Sequence, residues 1–218
     1  MSLETLKARL GARLRPVSDW SPDQAPLRSD YDLNPGAARN GAPLRPAAVL
    51  APVMAHEAGA SVLLTRRADS LASHTGQIAF PGGRLDPGET AVDAALREAW
   101  EEVALPPASV QVLGLGDPYE TGSGFLITPV VGWITPPVIV TPSPDEVAEV
   151  FETPWDFLMD TAHHRRDHYE MNGARRYFWA MPWNERYIWG VTAGLLKGLH
   201  ARLYGEDGDR AAEAEDAA

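Results

Sequence analysis

Arg97-Glu98-Ala99-Trp100-Glu101-Glu102 concentrates three carboxylates and one guanidinium in six residues. At 100° per residue, Glu98, Glu101 and Glu102 fall within one arc of a helix about 100° wide, beside an apolar stripe. Like charges at i, i+3 and i+4 destabilise an isolated helix by a few tenths of a kcal/mol per pair. Two readings meet this cost. A solvated acidic face dilutes the repulsion in water, and a bound divalent cation removes it. Hard oxygen donors are what Mg²⁺ or Mn²⁺ prefers. Upstream, Gly82-Gly83 supplies backbone that can approach a metal or a phosphate closely. Glu89 and Arg97 lie just outside the trio, spaced to pair and hold a loop against the helix.

The helix that must carry these groups is bounded by local signals. Thr90 with Asp93 three residues on forms a capping-box start, and Pro106-Pro107 stops the run. Val92, Ala95, Leu96, Ala99 and Val103 recur at helical spacing as its buried stripe. Before it, Ala47–Val53 and Ser61–Thr65 read as paired strands across a turn at 57–59, and Pro81-Gly82-Gly83 as a glycine-rich turn. After it, 110–115, 125–134 and 147–151 read as strands. Residues 169–171 and 175–180 flank Asn172-Gly173, the strongest short hairpin signal. A last helix is expected over 188–204, stopped by Gly205. Strands alternating with helices, with no internal repeat, give one mixed α/β domain over 47–205. Residues 1–46 are expected to form an amphipathic helix (Leu3, Leu6, Leu10, Leu14) and an irregular wrapping segment with six prolines. Residues 206–218 are expected to be an acidic disordered tail.

At this point the loop and helix resemble the signature of the Nudix hydrolases, G-x5-E-x7-R-E-U-x-E-E-x-G-U, where U is bulky and apolar. Gly83, Glu89, Arg97, Glu98, Glu101, Glu102 and Leu105 match in register; Ala99 is small for its position, and Ala104 replaces the final glycine. If residue 104 takes a left-handed cap, alanine costs about 1 kcal/mol there. The resemblance implies an α/β/α sandwich with a mixed β-sheet, in which this loop and helix catalyse divalent-metal-dependent hydrolysis of a nucleoside diphosphate derivative. Glu98 and Glu102 are then the direct metal ligands, with Glu101 ligating or orienting water and the Gly82 carbonyl completing the shell. Glu89 and Arg97 give structural support. The general base falls to Glu101 or to a later loop, where Glu146 precedes a strand.

A second run, Leu63-Leu64-Thr65-Arg66-Arg67-Ala68 through Gly76 to Phe80-Pro81-Gly82-Gly83, is similar to the motif of the coenzyme A pyrophosphatase branch, L-L-T-x-R-[SA]-x3-R-x3-G-x3-F-P-G-G. Ala72 stands where that motif has its second arginine, and Arg66 is an extra cation six residues earlier. The branch implies cleavage of coenzyme A or its thioesters to 3′,5′-ADP and the 4′-phosphopantetheine portion, with Arg66, Arg67, Gly76, Phe80 and Gly83 as substrate-binding residues. The alternatives are the same chemistry on NADH or ADP-ribose, and a non-catalytic nucleotide sensor. A pure binder need not keep a costly carboxylate cluster, which argues against the sensor.

Composition bounds the partners. The chain of 218 residues is 44% hydrophobic, lacks cysteine and carries a net charge of −11. Disulfides, thiolate metal sites and a cysteine nucleophile are excluded. The charge divides as +2 over residues 1–46, −8 over 47–205 and −5 over 206–218. With no basic stripe, neither nucleic acid nor an anionic membrane surface is an expected partner, and the N-terminus lacks the continuous apolar core of a secretory signal. A small-molecule substrate and a cytoplasmic location are expected. His163, His164 and His168 have zinc-like spacing without the further ligands zinc needs. Arg165, Arg166, Arg175 and Arg176 are candidates for a cationic patch on the hairpin. The aromatic-rich stretch 155–189 suits core packing, an adenine platform or a homodimer interface.

Overall fold

The computed structural model describes residues 1–39, 41–68, 76–171 and 173–205. The expected acidic tail, Ala72, His74 and Asn172 lie outside the described residues. In chain order the elements are α1 (Leu3–Arg13), β1 (Arg28–Ser29), β2 (Arg45–His56), β3 (Gly59–Arg67), β4 (Ile78–Ala79), β5 (Gly82–Arg84), α2 (Ala91–Val103), β6 (Gln111–Leu115), β7 (Tyr119–Glu120) and β8 (Phe125–Ile134). There follow β9 (Val147–Pro154), α3 (Trp155–Leu158), β10 (Arg165–Met171), β11 (Ala174–Trp183), β12 (Arg186–Trp189) and α4 (Val191–Tyr204).

Strands β1 to β9 form one mixed sheet. Its spine is β7-β8-β2-β3, with β2 and β8 parallel from Arg45↔Phe125 to Met54↔Ile134 and β2 and β3 antiparallel. The central strands are apolar on both faces because both faces are covered. Ala51 and Val53 of β2, Leu64 of β3 and Trp133 of β8 point into one core with α1 and α4. Ala48 and Leu50 of β2, Leu63 of β3 and Ile134 of β8 point into a second core with α2. The period-2 alternation of each strand thus builds an α/β/α sandwich. A separate three-stranded sheet, β10-β11-β12, stands at one end.

Three expectations about elements are corrected. Pro81-Gly82-Gly83 does not form a turn. Gly82 and Gly83 enter strand β5 and pair with Val49 and Ala48, an approach so close that a Cβ on Gly82 would stand 2.6 Å from Val49 Cα. The last helix starts at Val191, since Ile188 and Trp189 belong to β12 and Gly190 (φ +63°) makes the corner. The hairpin is longer than its turn-proximal residues suggested, running over Arg165–Trp183 and joined by β12 as a third strand. The wrapping segment contributes β1, parallel to β7, while Leu6 and Leu10 of α1 are fully buried in the shared core.

Candidate active site

Helix α2 begins with a complete capping box. The Thr90 side chain accepts from the Asp93 N–H at 3.2 Å, and the Asp93 carboxylate accepts from the Thr90 N–H at 3.0 Å. The buried stripe differs from the one expected. Ala91, Ala94, Ala95 and Ala99 are fully buried, whereas Val92 and Leu96 are only partly so. This turns the helix so that positions 91, 95, 98 and 102 share the face toward the sheet. Of the three acidic residues, Glu98 and Glu101 lie beside the stripe, but Glu102, 5% exposed, belongs to it. Alanines along this face let the helix sit close to β2 and β5, which brings the two carboxylates onto the two glycines.

Glu102 Oε2 accepts a hydrogen bond from the Gly82 N–H at 3.2 Å. Glu98 packs directly on Gly83, where a Cβ would lie 2.5 Å from its carboxyl carbon. Burial first, then the neighbouring charges of Glu98 and Glu146, pushes the Glu102 carboxyl up to about 7, while the Gly82 N–H and Arg67 act in the opposite sense. Burial likewise raises Glu98, with Glu101 and Glu146 adding to the shift and Arg97 opposing it. Glu146 thus stands close enough to both helix carboxylates to act on them. It is held there by the loop before β9: Ser143 N–H donates to the Glu102 carbonyl at 2.8 Å, and Ala68 N–H to the Glu146 carbonyl at 2.9 Å.

Arg97 is the hub that fixes the loop. It donates to Glu89 from Nε at 2.7 Å and from Nη2 at 3.0 Å, and to the Arg84 carbonyl at 3.0 Å. This bidentate pair holds the Glu89 carboxyl below its ordinary value. Glu89 also accepts from the Asp86 N–H at 2.8 Å, closing the loop between β5 and α2. Through Nη1, Arg97 further contacts Glu98 at 3.0 Å and Glu101 at 3.1 Å. With these two turned toward Arg97, no three acidic or imidazole groups converge on one point among the described residues. The donor set still fits a hard cation. It is all oxygen, burial raises two of its carboxyls, and Gly83 has no Cβ to fill the space that Glu98 occupies.

The site opens into a cavity of about 730 Å³. Its walls include Glu102, Gly82, Gly83, Phe80 and Arg67 from the sequence-predicted set. Arg67 Nε is buried without a hydrogen-bond partner. Arg66 and Gly76 are not among the residues that line this cavity. Side chains alternate along β3, so Thr65 and Arg67 face the cavity while Arg66 turns to Glu149 at 3.7 Å. Gly76, at φ +69°, forms the bend before Gln77, whose carbonyl accepts from the Arg67 N–H at 2.9 Å. The expected cationic patch is divided as well, Arg175 pairing with Glu170 at 3.3 Å while Arg176 lines the cavity.

Sequence reasoning missed the wall built by the wrapping segment, where Asp30 and Asn34 line the cavity, while Phe178 and Trp189 on the opposite wall belong to the aromatic-rich stretch read as core, adenine platform or dimer interface. Nothing in the proline-rich segment marked its residues. The hairpin did carry a signal, because strand alternation through 174–183 puts Arg176 and Phe178 on one face.

Comparison with known proteins gives a consistent result. Residues 44–171 match the family model described as NUDIX domain. A protein of Citrobacter koseri named "Uncharacterized Nudix hydrolase NudL" is 45% identical over 162 residues, covering 73% of this chain and 83% of its own length. A protein of the same name from Pectobacterium atrosepticum is 42% identical over 160 residues, with the same shares of each chain. Among solved structures, the binary complex of a C. elegans Ap4A hydrolase aligns at 21% identity with a TM-score of 0.45, over 50% of this chain and 80% of that one.

Proposed function

The chain belongs to the Nudix hydrolase family, and from that premise we propose that it hydrolyses the diphosphate bond of coenzyme A or its thioesters, yielding 3′,5′-ADP and (acyl-)4′-phosphopantetheine. The observation that carries the reading is that one cavity gathers two sets of residues: Glu102 with Gly82-Gly83, and Thr65, Arg67 and Phe80 from the run similar to the coenzyme A pyrophosphatase motif. At about 730 Å³ it falls within the range of about 300–1,000 Å³ typical of sites that enclose a whole small ligand.

Hydrolases of this family use divalent metal ions, and here Mg²⁺ or Mn²⁺ would be held by Glu98 and Glu102, with Glu101 and the Gly82 carbonyl as further donors. Such an ion neutralises the diphosphate and lowers the pKa of water bound to it. The remaining work is done by the chain. Arg97, pinned by Glu89, keeps the loop and helix in register so that Glu98 and Glu102 stay one turn apart on one face. Arg67, with no partner for its Nε, offsets charge on the substrate beside Glu102. Glu146 is exposed to solvent, whereas Glu101 is paired with Arg97 at 3.1 Å, which suits Glu146 better to accept a proton from attacking water.

The test is a panel of coenzyme A, an acyl-coenzyme A, NADH and ADP-ribose, incubated with Mg²⁺ or Mn²⁺ and resolved by mass. The expected result is 3′,5′-ADP from coenzyme A or its thioester at the highest kcat/KM. Better turnover of NADH or ADP-ribose would replace the substrate, and no turnover of any member would remove catalysis altogether. Glu102→Gln is expected to lower kcat by orders of magnitude with an unchanged melting temperature; wild-type rates in that variant would take Glu102 out of the site.

A further inference from the structure

The cavity has a second charged feature, on an element remote in sequence from the carboxylate helix. The register of β10 and β11 sets Tyr169 opposite Arg176 and Asp167 opposite Phe178, and β12 sets Trp189 opposite Ala180. Directly opposed residues share a face and alternate residues return to it, so Tyr169, Arg176, Phe178 and Trp189 all point the same way. That way is into the cavity, which all four line. The rings are tilted against one another, with centroids 5.8 Å apart for Tyr169 and Phe178 and 4.9 Å apart for Phe178 and Trp189. Arg176 lines the cavity with them. The other hairpin arginines are not in the cavity wall: Arg175 pairs with Glu170, Arg166 lies 4.1 Å over the Tyr177 ring, and Arg165 is exposed on β10. Arg176 Nε is shielded from solvent and has no hydrogen-bond partner. Asp30, the acid on the neighbouring wall, is already engaged by Tyr119 Oη at 2.8 Å and the Gly122 N–H at 2.7 Å. A half-buried guanidinium with a shielded, unpartnered Nε, on a strand face it shares with aromatic rings, is a binding element for a planar ring that bears an anion.

We propose that this hairpin face reads the nucleoside end of the substrate, the Tyr169–Phe178–Trp189 rings stacking on the base and Arg176 taking a phosphomonoester that is not part of the hydrolysed diphosphate. The inference rests on reading the cavity as a nucleoside diphosphate site, and it deepens that reading by assigning a residue to a phosphomonoester that lies outside the diphosphate. Arg67, beside Glu102, serves the diphosphate; Arg176 has no part in it and makes the site selective for a bisphosphorylated nucleoside.

Binding, without turnover, tests this. The affinities of 3′,5′-ADP, 2′,5′-ADP and 5′-AMP are measured by calorimetry for the wild-type protein, Arg176→Gln and Arg175→Gln. A charge-assisted contact predicts that one bisphosphate binds the wild type roughly tenfold more tightly than 5′-AMP. The preferred isomer tells whether the extra phosphate sits on the 3′ or the 2′ oxygen. Arg176→Gln should bring that ratio to near one, and Arg175→Gln, on the opposite face of the strand, should leave it at its wild-type value. Equal binding of all three nucleotides to the wild type would overturn the proposal, as would a bisphosphate preference that survives Arg176→Gln. If the preference appears and depends on Arg176 while coenzyme A is not hydrolysed, the hairpin site stands and the substrate assignment falls. If coenzyme A is hydrolysed and no such preference exists, the reverse holds.

Discussion

A methyl group added at Gly83 would meet the carboxylate of Glu98, the far end of a flexible side chain, whereas one added at Gly82 would meet the backbone of Ala48 and Val49. The two adjacent glycines therefore protect different things. Gly83→Ala is expected to fold with a melting temperature near wild type, because Glu98 can swing aside, yet to lose at least an order of magnitude in kcat because the carboxylate is displaced from its place beside Glu102. Gly82→Ala is expected to destabilise the protein by roughly 1–3 kcal/mol, the ordinary cost of forcing extra volume into a packed site. Thermal melts and steady-state rates on the two variants separate these outcomes; a Gly83→Ala enzyme as active as wild type would show that the position of Glu98 does not matter. At this scale much was legible from residue types and spacing. Glu98, Glu102, Glu89 and Arg97 stand where a carboxylate face and a loop clamp require them. That Arg66 turns to Glu149 while Arg67 lines the cavity was not legible, because the motif fixes spacing and the side of the strand on which a residue emerges depends on how β3 pairs.

Helix α2 carries its own test of local energetics. It ends on Ala104 in the left-handed region, at φ 53° and ψ 31°, where the Ala104 N–H donates to the Trp100 carbonyl at 2.9 Å. A Cβ in that conformation is strained, and glycine removes the strain at the cost of a more flexible unfolded chain. The first term is the larger, so Ala104→Gly is expected to stabilise the fold by about 0.5–1 kcal/mol, read as a higher urea midpoint at constant m-value. A lower midpoint would mean that the cap relaxes without strain. The start of this helix and the pairing of β10 with β11 were legible because capping boxes and hairpins are decided by a few adjacent residues. The last helix was read three residues too early for the converse reason. Ile188 and Trp189 satisfy a helical pattern equally well, and only their pairing with Met181 and Ala180 commits them to β12.

Across the whole molecule, the cavity exists because three regions far apart in sequence meet around it, and the least patterned of them closes it. Asn34, in the proline-rich segment, donates through Nδ2 to the Tyr177 carbonyl at 2.9 Å and accepts on Oδ1 from the Tyr177 N–H at 2.9 Å. Its amide thus imitates a strand residue and clasps β11 across 143 positions of chain. Nδ2 also reaches the Asp30 carbonyl at 2.8 Å, tying the clasp to the wall that holds Asp30. No periodicity or charge pattern announces such a contact, which is why the segment read as mere wrapping. The clasp sets the position of the hairpin face without touching the carboxylates, so Asn34→Ala should raise KM severalfold and leave kcat within about twofold, the signature of lost ground-state binding. Asn34→Asp keeps the acceptor but turns the donor into a second acceptor facing two carbonyl oxygens, and should be at least as damaging to KM. The measurement is steady-state kinetics of both variants on the preferred substrate, beside thermal melts. A lowered melting temperature with an unchanged KM would reduce Asn34 to a structural tie, whereas a raised KM in a protein as stable as wild type would make the wrapping segment a working wall of the site.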